Sequence, residues 1–107
     1  MVDLPPVIAA YFETPHDADV GQLTRLFAAD ARVHDEHNDY RGLDAVRAWR
    51  VDTHTKTPFT VRPVSVQERG GKHVVAAEVS GAFPGSPVML DHSFTLADGR
   101  IAALEIR

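Results

Sequence analysis

Cysteine is absent from all 107 residues. That excludes disulfides, thiolate metal sites and a cysteine nucleophile together. Long apolar runs are missing too, none approaching the ~20 residues that cross a bilayer. No charged-then-apolar leader opens the chain, so cytoplasm is the expected location. Basic charge is scarce: 11 Lys and Arg stand against 15 Asp and Glu, a net charge of −4. Such a balance carries no electrostatic footprint for nucleic acid or for an anionic membrane. Repeats, linkers and low-complexity stretches are also lacking. A chain of this length fits one domain, 1–107, and can bury roughly 65% of its unfolded surface.

What is present falls into two halves. Helical spacing comes first. Pro5 and Pro6 open a helix, Val7, Ile8, Tyr11 and Phe12 form its apolar stripe, and Thr14-Pro15 stops it. Asp17 is placed to cap a second helix with Val20, Leu23, Leu26 and Phe27 buried, ending near Ala29 or Asp30. A short strand follows, with a turn at Asn38-Asp39. Gly42 begins a third helix, with Ala45, Val46 and Trp49 inward, and Pro58 ends it.

From Phe59 the pattern alternates. Phe59, Val61, Val64 and Val66 predict a strand whose parity slips at Pro63, as at a bulge. Arg69-Gly70-Gly71-Lys72 reads as a hairpin turn. Val74–Phe83 is the next strand, with Val75, Ala77, Val79, Gly81 and Phe83 on one face. Val88–Leu96 puts Leu90, His92, Phe94 and Leu96 on one face and Asp91 on the other; Ile101–Ile106 closes the meander. Helices followed by antiparallel strands imply an α+β fold, with helices on one face of a curved sheet. The mouth of such a cone suits a small apolar ligand. Four strands covered on one side leave an outer face, with Val74 and Ala76 or the alternate set, that a second copy would cover.

Residues 31–42, ARVHDEHNDYRG, hold the chemistry-bearing groups of the first half. Asp35 shares a strand face with Val33, and a carboxylate there needs a partner or a task. It reads two ways. In an apolar hollow it ionises reluctantly, which suits abstraction of a proton beside a carbonyl. Otherwise it bonds helix amides or pairs with Arg41 or Arg47. His34 and Glu36 share the opposite face; together with a distant histidine they hint at a His-x-Glu metal set. Facing away from the cone, they read as exposed side chains, and no metal is expected.

The strings LFAADARVHD at 26–35, YRG at 40–42 and RIAALEI at 100–106 carry a resemblance. With the helix-then-meander layout, they resemble the NTF2-like superfamily, in particular its SnoaL-like branch, similar to polyketide cyclases and ketosteroid isomerases. The resemblance implies an NTF2-like cone, often dimeric, that hosts many functions. Laid on a ketosteroid isomerase, it puts Tyr11 on the phenol donor and Asp35 on the carboxylate that moves the proton. The third member of that family's site, a protonated acid, falls on Asp91 without gaps and on His92 by parity. Parity places His92 inward, since a one-residue slip would turn its whole face to water.

The expected site is therefore Asp35 as base, Tyr11 as donor and His92 as paired acid or orienting donor. Phe12, Val33, Tyr40, Trp49 and Phe59 are expected along the pocket. So are Val79, Phe83, Leu90 and Phe94, with Trp49 and Phe94 nearest the cavity. The implied function is cofactor-independent isomerase or cyclase chemistry on a small apolar molecule; the alternative is a non-catalytic ligand carrier or dimeric assembly module.

Overall fold

Nine regular elements account for most of the chain in the computed structural model, which describes residues 2–107. Proline at the first turn starts α1 (Pro6–Glu13), where its missing N–H would have had no helical partner. Extended Thr14, just before Pro15, ends it.

The second helix is shorter than its apolar spacing predicts. Only Val20–Leu23 (α2) is helical, and the cap is Asp19, not Asp17. Asp19 Oδ1 accepts from the Gln22 amide at 2.8 Å, while Gln22 Oε1 accepts from the Asp19 amide at 3.1 Å. Leu26 and Phe27 are buried as expected, but Phe27 already belongs to β1 (Phe27–Asp35) and pairs with Ile101. A spacing of three and four residues fitted a helix; burial against a partner strand decided otherwise.

The turn after β1 also sits earlier than expected. Glu36 and His37 both adopt positive φ, 51° and 66°, the geometry of a two-residue hairpin. Asn38 and Asp39 therefore lie in β2 (Asn38–Arg41), paired back onto β1. Gly42, at φ 88°, then caps α3 (Leu43–Lys56).

The remaining strands are β3 (Phe59–Arg69), β4 (Lys72–Gly81), β5 (Val88–Ala97) and β6 (Arg100–Ile106). Strand β4 ends two residues before Phe83, which falls in the following turn. The sheet has six strands, the expected first strand and four-stranded meander together with β2, in the order β2-β1-β6-β5-β4-β3. All neighbours are antiparallel except β1 and β6. The slip at Pro63 is a bulge: Pro63 opposes Ala77 and Ser65 opposes Ala76, leaving Val64 between them.

The three helices pack on one face of this curved sheet, giving an α+β cone. Its closed end holds Ile8, Leu23, Phe27, Val46, Val75, Ile101 and Leu104, all at most 1% exposed. Its open end, between α1, α3 and the outer parts of β3–β6, is the hollow described next.

Candidate functional site

Strand parity selects the groups that face the hollow. On β5, Val88, Leu90 and His92 line it; on β4, Val79; on β3, Phe59 and Val61; on β6, Ile106. Helix α1 adds Tyr11 and Phe12, and α3 adds Trp49, Arg50 and Thr53. Asp35 enters from the end of β1, and Tyr40 from β2. The cavity, open at the mouth of the cone, has a volume of about 570 Å³. That lies within the range that takes a drug-sized molecule.

Two residues expected on the pocket are elsewhere. Val33 and Phe94 are wholly enclosed in the core and do not line the cavity. Each is one pleat further toward the closed end than a lining residue, Asp35 and His92 respectively. A pleat of ~6.6 Å is enough to pass from hollow to core. Phe94 is closed off by the edge-on rings of Tyr11 and Phe12, with centroids at 5.3 and 5.8 Å. Phe12, Tyr40, Trp49, Phe59, Val79, Phe83 and Leu90 do line the cavity.

Asp35, Tyr11 and His92 meet on this one cavity. Asp35 is half-buried and pairs with neither Arg41 nor Arg47. Its Oδ2 accepts a hydrogen bond from the Trp49 indole at 3.0 Å, tying β1 to α3. Its Oδ1 has no protein donor among the described residues.

Tyr11 is 8% exposed. Burial pushes its phenol up to about 12, opposed by the Arg50 guanidinium and reinforced by the Asp35 charge. The hydroxyl therefore keeps its proton and remains a donor at neutral pH. Arg50 stacks over the ring, 5.0 Å from its centroid.

His92 is 4% exposed and inward, while Asp91 lies on the exposed outer face. Burial pushes the imidazole below its ordinary value; the Leu90 carbonyl and the Asp35 and Asp91 charges oppose that. Nδ1 is 3.4 Å from the Leu90 carbonyl oxygen, which can only accept, so Nδ1 carries the proton of the neutral ring. Nε2 is then a lone pair. In this tautomer the neutral ring presents an acceptor to the cavity.

Several cavity residues were not foreseen from the sequence. Arg50 is 3% exposed and donates through Nη2 to the carbonyls of Thr14 and Pro15, at 3.0 and 3.4 Å. His16 stacks on His54 with centroids 4.3 Å apart, and Phe59 meets both rings edge-on. Burial, then the charges of Arg50 and His54, push His16 down to about 4. Glu36, expected outside the cone, lies on the cavity rim because its positive-φ turn swings it off the strand. His34 bonds Asp39 across the β1–β2 hairpin at 2.8 Å.

A six-stranded cone with a cavity of mixed apolar and polar lining at its mouth defines the class, and comparison with known proteins gives the family. The SnoaL-like domain matches residues 8–104, so the chain belongs to the SnoaL-like family within the NTF2-like fold. A Sinorhizobium meliloti protein provisionally assigned as a polyketide cyclase is 42% identical. It superposes with a TM-score of 0.89, covering 98% of this chain and 96% of its own. A Catenulispora acidiphila protein with a ketosteroid isomerase-like fold, solved with trimethylamine, has TM-score 0.79 at 17% identity, covering 98% and 86%. SalBIII, an epoxide hydrolase/cyclase-like enzyme of pyran ring formation in salinomycin, has TM-score 0.74 at 19% identity, covering 94% and 86%. These two likenesses speak for the fold alone. No curated protein matches the chain. The fold is thus one related to polyketide cyclases and isomerases, and no helix among the described residues is long and apolar enough to cross a membrane.

Proposed function

We propose that the cavity binds a small carbonyl compound and that Asp35 takes a proton from the carbon beside the carbonyl, as in a cofactor-independent isomerase or cyclase. The observation that carries this reading is the state of the Asp35 carboxylate. One oxygen is oriented by Trp49 and the other is unengaged at the cavity. Tyr11 supplies the hydrogen bond to the enolate oxygen, where charge develops. A phenol that resists ionisation up to about 12 can stay a donor throughout. His92, as an acceptor, orients a hydroxyl or N–H of the same molecule.

A carbon acid tests this without knowledge of the natural substrate. Phenylacetone in heavy water exchanges its α-protons slowly, and the protein should speed that exchange. Asp35→Asn should reduce the acceleration by at least about a hundredfold, the scale of general base catalysis. Equal rates with the native protein and the variant would end the reading.

A second reading, a ligand carrier or dimeric assembly module without chemistry, draws on His92, whose neutral form leaves the isomerase-like site one donor short. Under it, phenylacetone exchange is not accelerated at all, while native mass spectrometry finds a retained small molecule. For either reading we propose a homodimer through the outer sheet face. Val74 and Ala76 lie there half-buried, and Met89, on the same face, is 53% exposed. A monomeric mass in light scattering at micromolar concentration would reject the dimer.

A further inference from the structure

Arg50 is left unused by the chemistry above, and its surroundings are unusual for a cation. The side chain is 3% exposed, yet it lines the cavity. Nη2 serves the Thr14 and Pro15 carbonyls. Nε is enclosed without an acceptor. Nη1 makes no hydrogen bond to a carboxylate or carbonyl among the described residues, and the only other hydrogen-bonding influence on the guanidinium is the neutral Tyr11 hydroxyl. None of the ion pairs among the described residues includes Arg50. The Tyr11 face beneath it offsets only part of the cost of burying the charge. Enclosed charges are ordinarily accompanied by an opposite one.

We propose that Arg50 receives a carboxylate of the bound molecule, so that the ligand is a small organic acid with an apolar body. This rests on the reading of the cavity as a ligand site and not on Asp35 acting as a base. The three carboxylates of the cavity wall set the orientation. Glu36 and Asp52 are exposed at the mouth, and Asp35 is held by Trp49. The ligand's acid group is repelled from all three and drawn to Arg50. Tyr11 is within the electrostatic reach of both Arg50 and Asp35. A ligand anchored at Arg50 therefore brings its next atoms under the phenol and its far end toward Asp35. Lys56, also on the cavity wall, adds to the attraction on entry.

Calorimetry with 3-phenylpropionate and its neutral isostere 3-phenylpropionamide tests the proposal. The native protein should bind the carboxylate about tenfold or more tightly than the amide, as a charge-assisted contact would give. Arg50→Met should abolish that preference, and Arg50→Lys should keep part of it. Equal affinity of the two probes for the native protein overturns the proposal and leaves the cavity reading standing, and this comparison needs no variant to fold. A preference that survives in Arg50→Met overturns it equally. Binding of neither probe removes the cavity as a site for such molecules, and both readings fall.

Discussion

Trp49 Nε1 donates to Asp35 Oδ2 at 3.0 Å, and through this bond the third helix holds the end of the first strand at the cavity. Replacing the indole by Phe keeps an aromatic ring and removes the donor. Trp49→Phe should lose about 1–3 kcal/mol, the cost of stripping a partly buried carboxylate of its donor. The midpoint of urea unfolding measures it; an unchanged midpoint would show that the bond contributes nothing.

Tyr11 makes a prediction at alkaline pH. Its folded value lies near 12, above the ordinary 10. The neutral phenol is thus favoured by folding, and that contribution is complete below pH 10 and lost as pH rises towards 12. The native protein should be destabilised across this window relative to Tyr11→Phe. Unfolding curves of both proteins over the interval, with phenolate absorbance alongside, give the comparison.

At acid pH the sign reverses for His16. Folding holds it near 4, below the ordinary 6.5, so its neutral form is favoured. Its contribution is present above 6.5 and disappears as pH falls through 4. The ring is half-buried, so solvent screens the effect. NMR titration of the imidazole should place its midpoint well below that of a free histidine, and His16→Gln should flatten part of the acid loss of stability.

Gly81 closes β4 against Phe59, and a Cβ there would stand 2.5 Å from the Pro58 carbonyl oxygen and 2.9 Å from Phe59 Cβ. Backbone cannot yield as a flexible side chain would. Gly81→Ala should cost about 1–3 kcal/mol, the usual range for overpacking. Thermal unfolding checks this, and an unaltered transition temperature would rule it out.

How much of this was legible beforehand follows from how each residue declares itself. Period-two alternation is a strong signal, so the inward face of β5 and the break at Pro63 could be read directly. Asp91 and His92 were separable for the same reason. The Glu36-His37 turn was illegible because neither residue advertises positive φ; Asn38 and Asp39 beside them do. Leu23, Leu26 and Phe27 fit a helical stripe longer than α2, and only the partner strand that claims Phe27 shortens it. Depth along a strand is not encoded in alternation, so the pattern points Val33 and Phe94 at the pocket while the fold holds them in the core. Arg50 escaped because a charged residue on a helix defaults to solvent. Its place on the same face as Val46 and Trp49 was the available clue.

The parallel pairing of β1 with β6 has a consequence for assembly. Strand β6 sits between β1 and β5, so the early hairpin, packed by α3, joins the rest of the sheet only through the latest strand. During synthesis on a ribosome, β3, β4 and β5 can zip together as they emerge, whereas β1 and β2 must wait. Closure of the cone, and with it the hollow at its mouth, therefore depends on β6 bridging the two parts of the sheet.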